Sequence, residues 1–220
     1  MAGKSLYLLD AYGLIYRAYY AFMRRPIFNS RKLNTSTIYG FTASLEELIR
    51  KEKPEYMAVV FDPPGKTFRE EMYAEYKANR QDTPEDIKVS VPYIKAIIKA
   101  MNIPVIEVPG FEAVDVVGTL AKKDEKAGYE VYMVTSDKDY GQLVSEHIKI
   151  YKPKKGGNDI EILGPAEINA LYGIDHPKKL IDILALWGDA SDNVPGAPGV
   201  GEKGSMKLIS QYGSVEALLE

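Results

Sequence analysis

SLYLLD at residues 5–10, MAVVFD at 57–62 and EVYMVTSD at 130–137 share one pattern, an apolar, β-rich run that ends on a carboxylate. A fourth run, PVIEV at 104–108, leads through a short loop to Glu112. A helical pattern follows each, so the strands are expected to lie parallel in one sheet. Open parallel sheets bind ligands beyond the carboxyl ends of their strands, which predicts that Asp10, Asp62, Glu112 and Asp137 converge. Asp115, Asp139, Asp189 and Asp192 stand close by in sequence or can join them. Two carboxylates about 4 Å apart repel by roughly 4 kcal/mol at an effective dielectric near 20, so a fold that gathers several needs cations. With oxygen donors only and no cysteine, the expected ions are hard and divalent, Mg²⁺ or Mn²⁺.

The chain has 220 residues, 45% of them hydrophobic, enough for one α/β core and a small appended subdomain. The absence of cysteine excludes disulfides and thiolate metal sites and fits a reducing, cytoplasmic setting. The N-terminal MAGKSLYLLDAYG meets an Asp after a run of four apolar or aromatic residues and reads as neither signal peptide nor membrane span. A net charge of −3 argues against nucleic acid at first sight, but eight acids belong to the proposed cluster, and the rest of the chain carries +5. Basic residues cluster at Arg24-Arg25, Arg31-Lys32, Arg50-Lys51, Lys77 with Arg80, Lys152 with Lys154-Lys155, and Lys178-Lys179. Any one pair is equally a solvated surface. An acidic centre rimmed by basic patches suits a phosphodiester.

Strand and helix alternate along the chain as in a doubly wound sheet. Helices are expected from Asp10 to about Met23, over 36–53, over 84–101 and over 112–127. Residues 68–80 (FREEMYAEYKANR) are helical in propensity, short of aliphatics, and should sit over the core. Residues 147–151 and 160–163 read as a hairpin turning at Gly156-Gly157-Asn158, and 165–171 and 177–187 as helices. The Gly- and Pro-rich 189–201 then leads to a helix near Glu202 or Lys203.

Each acidic motif is bland alone. Asp137-Lys138-Asp139 is a common surface turn, and Glu112 with Asp115, or Asp189 with Asp192, is equally an N-cap with first-turn acids. Their joint placement at the ends of one sheet is what points to metal. Pro198-Gly199-Val200-Gly201-Glu202-Lys203 is a Gly turn opening a helix, one half of a helix–hairpin–helix or an ordinary αα connection. Phe68, Tyr73 and Tyr76 interleave with Arg69, Lys77 and Arg80, as in single-strand binders or in a helix packing its aromatics inward. His147 and His176 have no partners at metal spacing and carry no expected catalytic role.

These residues resemble the 5′-nuclease domain family of bacterial DNA polymerase I, relatives of flap endonucleases and phage 5′-exonucleases. The matching segments are LLDAYGLIYRAYYAF, NTSTIYGF, AVVFD, TFREEMYAEYKANR, IPVIEVPGFEAVDVVGTLAKK, VTSDKDYGQLV and LALWGDASDNVPGAPGVGEK, in order along nearly the whole chain. The fold implied is a mostly parallel α/β sheet with helices on both faces, PIN-like, over 1–175 with an arch near 66–83. A helix–hairpin–helix subdomain over 176–220 follows, with more residues expected beyond Glu220 and a polymerase region in the parent protein. The resemblance implies a two-metal nuclease cutting DNA at 5′ ends and flaps, for primer removal and repair. Asp10, Asp62 and Glu112 then look like ligands of one ion, Asp137, Asp139, Asp189 and Asp192 of the second, with Asp115 near both. Lys77 and Arg80 would grip phosphate beside the cut, Tyr76 would stack on a base, Phe68 and Arg69 would touch DNA, and Arg17 would hold the 5′ region. Gly199, Val200, Gly201 and Lys203 would hold duplex backbone, with a K⁺ at the hairpin. The implied partner is DNA, RNA-primed or not, met by a monomer away from membranes. A phosphatase on a similar sheet is a third reading, but it leaves the basic arch unexplained.

The family pattern E-A-D-D is here Glu112-Ala113-Val114-Asp115, and valine cannot bind metal. A weakened first-metal site follows, and a catalytically impaired 5′-end or flap-binding module is the alternative reading. Replacing a carboxylate by valine also relieves repulsion. Val114→Asp should therefore lower the melting temperature in EDTA and raise Mg²⁺ affinity by calorimetric titration; unchanged or higher stability in EDTA counts against a crowded carboxylate cluster.

Overall fold

The computed structural model describes residues 4–154 and 159–220. The expected turn at Gly156-Gly157-Asn158 lies outside them. Strand β1 (Lys4–Asp10) leads into helix α1 (Ala11–Phe22), then α2 (Ser36–Glu52) and β2 (Tyr56–Phe61). A short α3 (Phe68–Met72), α4 (Glu85–Ala100), β3 (Val105–Glu107), α5 (Ala113–Lys126) and β4 (Tyr129–Val134) follow. Strands β5 (Ile148–Pro153) and β6 (Ile160–Leu163) precede α6 (Pro165–Tyr172) and α7 (Leu180–Trp187). A two-strand hairpin, β7 (Gly188–Asp189) and β8 (Val194–Pro195), leads to α8 (Glu202–Tyr212) and α9 (Val215–Leu219).

The main sheet runs β3-β2-β1-β4-β5-β6, parallel except for β6, which pairs antiparallel with β5 as the hairpin reading required. The chain lays down β2 and β3 on one side of β1 and then crosses to place β4 on the other. This reversal opens a crevice at the carboxyl ends of β1 and β4, where such sheets take ligands. Period-two alternation in β1 feeds two cores. Leu6 and Leu8 join Val131, Met133, Val117 and Ile183 on one face, while Tyr7 and Leu9 join Phe41, Leu45, Phe61 and Ile94 on the other. Burial on both faces pins β1 in register, because a one-residue slip would exchange every side chain between cores.

The helical expectation over 68–80 holds only for α3. Tyr73 leaves the helix at φ −142°, and Lys77 turns into the left-handed region at φ 57°. No residue of α3 is buried, so no apolar face holds a longer helix together, and the polar contacts described below take the segment instead.

Glycine is required at the β7–β8 hairpin. A Cβ on Gly188, at φ 73°, would stand 2.3 Å from Gly196 N and 2.6 Å from Val194 O, and one on Gly196 would stand 2.3 Å from Trp187 O. All of these contacts are backbone, so nothing can rotate away. Gly188→Ala should cost roughly 3 kcal/mol in urea unfolding and raise amide exchange across 188–196; parental stability would show the hairpin to be adaptable.

Candidate active site

All eight predicted acids lie on strand ends or on the first turns that follow. Asp10, at the end of β1, caps α1 by accepting from Gly13 N at 3.2 Å, and its other oxygen accepts from Thr135 Oγ1 at 3.2 Å and Tyr140 OH at 3.4 Å. Asp62 follows β2 and accepts from Ala113 N at 2.7 Å, tying the start of α5 to the sheet. Glu112 is buried and forms a capping box with Asp115 at the head of α5. Asp137 caps the 3₁₀ turn Lys138–Leu143 by accepting from Asp139 N at 3.0 Å. Asp189 accepts from Ser191 N at 2.8 Å and Ser191 Oγ at 2.5 Å, which shapes the turn that presents Asp192. The capping reading holds for Glu112 with Asp115, and capping is what orients these carboxylates.

Burial first, and charge crowding second, show in their acidities. Burial, then Asp62 and Asp137, pushes Asp10 up to about 6, against hydrogen bonds that pull the other way. Burial, together with Glu112, raises Asp62, and burial with Asp137 and Asp189 raises Asp139. Asp189 goes the opposite way. Burial acts to raise it, but Lys138 and the Ser191 donors bring it down to about 2.

Basic side chains cover this acidic floor. Lys77 Nζ meets Glu112 at 2.7 Å and lies 4.0 Å from Asp192, Arg69 holds Asp115 through two bonds of 2.6 and 2.8 Å, and Arg80 pairs with Asp192. Tyr76 OH lies 3.1 Å from both Glu112 and Asp192, with one proton to share between the two carboxylates. Lys138 pairs with Asp189, stands 3.3 Å from Asp139, and lies over the ring of Trp187 at 5.5 Å. The arch residues predicted to meet phosphate thus serve as the carboxylates' counter-ions.

Among the described residues no three acids stand ready to share one ion in this arrangement. Their chemistry nonetheless fits a hard divalent cation. Every donor is oxygen, Asp10 stands among like charges, and the buried Asp139 Oδ1 already faces a cation, the Lys138 ammonium at 3.3 Å.

Other expected residues lie elsewhere. Arg17 donates to Lys154 O at 2.7 Å, toward the β5–β6 hairpin. Phe68 packs on Phe111 at 5.7 Å, with the Arg69 guanidinium 4.7 Å over its ring. Gly199, at φ 78°, and Gly201 have open space where a Cβ would stand, Val200 packs against the core, and Lys203 is exposed on α8. Val114 packs against the same core and lines a groove of about 540 Å³ with Phe68, Phe111 and Leu143. His147 pairs with Glu130 and His176 accepts from Lys178 N, both away from the acids. Sequence reasoning gave no role to Thr135, Lys138 or Tyr140. The signal was their position, since all three flank Asp137 and Asp139 in one run.

Comparison with known proteins gives a consistent picture. Residues 5–173 match the family described as 5′-3′ exonuclease, N-terminal resolvase-like domain, and residues 175–220 match the 5′-3′ exonuclease C-terminal SAM fold. The 5′-3′ exonuclease of Aquifex aeolicus is 43% identical over 217 residues, 99% of this chain and 73% of that protein. DNA polymerase I of Bacillus subtilis is 41% identical over 218 residues, 99% of this chain and 24% of the polymerase, so the chain spans about a quarter of such relatives. Among solved structures, the T5 5′-exonuclease with bound zinc gives a TM-score of 0.78 at 20% identity, covering 98% of this chain and 78% of that one. The catalytic core of Rad2 with a DNA substrate gives 0.60 at 21% identity, covering 97% and 63%. At these identities the structural matches speak for the fold.

The raised Asp10 has a signed consequence. Well below pH 4 it is protonated in both folded and unfolded chains. As pH rises toward 6 the unfolded chain releases its proton first, so folding stability is lost through that window. Without divalent ions, Asp10→Asn should therefore melt higher than the parent at pH 8, by on the order of 2–3 kcal/mol, with the difference gone by about pH 3. Equal melting at pH 8 would remove the case for a crowded Asp10.

Proposed function

The chain belongs to the 5′-3′ exonuclease family, and we propose that it is a structure-specific nuclease that hydrolyses DNA at 5′ ends and 5′ flaps. The observation that carries this reading is the pairing of an acidic floor with a basic, aromatic lid: Glu112, Asp115, Asp189 and Asp192 lie opposite Lys77, Arg69, Lys138 and Arg80. A phosphodiester offers the lid the anion that the carboxylates now supply, and it leaves the carboxylates free for metal.

Asp10, Asp62 and Glu112 would hold one Mg²⁺ or Mn²⁺, and Asp137, Asp139, Asp189 and Asp192 a second, with Asp115 serving both. Such ions supply an activated water and charge stabilisation at the leaving oxygen. The protein's own contribution is positioning. Lys77 and Arg80 pass from carboxylate to phosphate beside the cut, and Tyr76, its hydroxyl released, offers its ring to a base. Arg17, Phe68 and Arg69 line the approach of the strand. Gly199, Val200, Gly201 and Lys203 take duplex backbone, with room for a K⁺, because the glycines let phosphate come close and α8 presents free N–H groups. We place the nuclease core in 1–175 and the duplex-holding unit in 176–220. Specificity comes from DNA shape and the free end, since nothing here points to base-edge readout. The natural setting would be primer removal and repair in the cytoplasm, by a monomer or as part of a polymerase. Among the described residues no helix is long and apolar enough to cross a membrane.

Val114, packed into an apolar groove, favours one second reading, a flap-binding module with reduced turnover. A 5′-labelled flap substrate separates the two. Cleavage in Mg²⁺ or Mn²⁺ that falls about a hundredfold in Lys77→Ala establishes the nuclease; retained flap affinity without cleavage, restored by Val114→Asp, establishes the module.

A further inference from the structure

Residues 75–80 of the arch and 190–193 of the β7–β8 hairpin turn are over a hundred positions apart, yet they are stitched together by one main-chain bond and by side chains that reach the opposite main chain. Asn79 Nδ2 donates to Ala190 O at 2.8 Å, and Asn193 Nδ2 donates to Glu75 O at 2.7 Å. Between them Lys77 N donates to Asp192 O at 2.8 Å, and Arg80 Nε reaches Ser191 O at 3.4 Å. The two carboxamides cross in opposite directions, each from one segment to a backbone carbonyl of the other. Both segments bend at a non-glycine residue in the left-handed region, Lys77 at φ 57° and Asn193 at φ 58°. Neither carboxamide bond involves a charged group.

We propose that Asn79 and Asn193 are positioning residues for the nuclease reaction: together they clip the arch to the hairpin turn, so that Lys77 and Arg80 stand over Glu112 and Asp192 before DNA arrives. The proposal rests on the nuclease reading above. An ion pair between long, part-exposed side chains fixes neither backbone, because the chains can follow each other. A carboxamide bonded to a carbonyl on the opposite main chain does fix it, and it persists when Lys77 and Arg80 leave the carboxylates for phosphate. The clip thus separates the register of the arch from its changing charge partners, which is what preorganised phosphate donors require.

The test uses Asn79→Ala and Asn193→Gly, the glycine keeping the left-handed backbone available while removing only the carboxamide. On a 5′-flap DNA each variant should lose about tenfold in kcat, the weight of one hydrogen bond, with KM within about twofold of the parent. In EDTA, without DNA, trypsin should cut each variant after Lys77 and Arg80 about tenfold faster than the parent, since the opened arch is the cleavable form. Equal trypsin rates overturn the clip. Raised KM at constant kcat overturns positioning, because the bonds would then serve binding alone. A parent chain that cleaves no DNA would end the nuclease reading, and the trypsin rates would still decide the clip.

Discussion

Mutual repulsion among carboxylates is the constraint around which this end of the molecule is arranged. The parallel sheet delivers Asp10 and Asp62 to one edge, and the caps of the following turns aim Glu112, Asp137 and Asp189 at the same space. A close pair in such a site costs roughly 4 kcal/mol, an amount a domain of marginal stability cannot leave unopposed several times over. The chain opposes it in three ways. Backbone N–H groups meet Asp10, Asp62 and Asp189, protonation becomes easier at Asp10, and ammonium or guanidinium groups meet Glu112, Asp115, Asp189 and Asp192. The last is reversible, as the proposed exchange of cation for cation below and anion for anion above requires.

The fold was legible because its signals are local and repeated. Apolar runs ending in Asp mark β1, β2 and β4, and the helices between them follow their caps and periodicity closely, so parallel order and a crevice at the strand ends were within reach of the sequence. Residues 73–80 were not. Their propensity is helical, but what decides their path is tertiary: Tyr76, Lys77 and Arg80 find partners on Glu112 and Asp192, 35 positions or more away. No local pattern announces such bonds. The same holds for Asn79 and Asn193, whose acceptors are backbone carbonyls that carry no sequence identity at all.

The site residues divide along the same line. The acids could be read from strand ends, and their counter-ions could be named as basic but not matched to partners. Tyr140 and Thr135 escaped notice because a tyrosine near the end of a sheet reads as core. Tyr140 is indeed buried, and only its hydroxyl, pointing to Asp10, enters the site. Val114 shows the reverse: a departure visible in the sequence proves in three dimensions to belong with Phe68, Phe111 and Leu143 beside the carboxylates.

Trp187 is the sole tryptophan of the chain, and the ammonium of Lys138 lies over its ring while pairing with Asp189. An indole's emission responds to the electric field across it. Any ligand that draws Lys138 away from Asp189 must alter that field, so the emission of this one indole, excited beyond the absorption of the sixteen tyrosines, is an optical record of charge exchange beside Asp189 in the unlabelled protein.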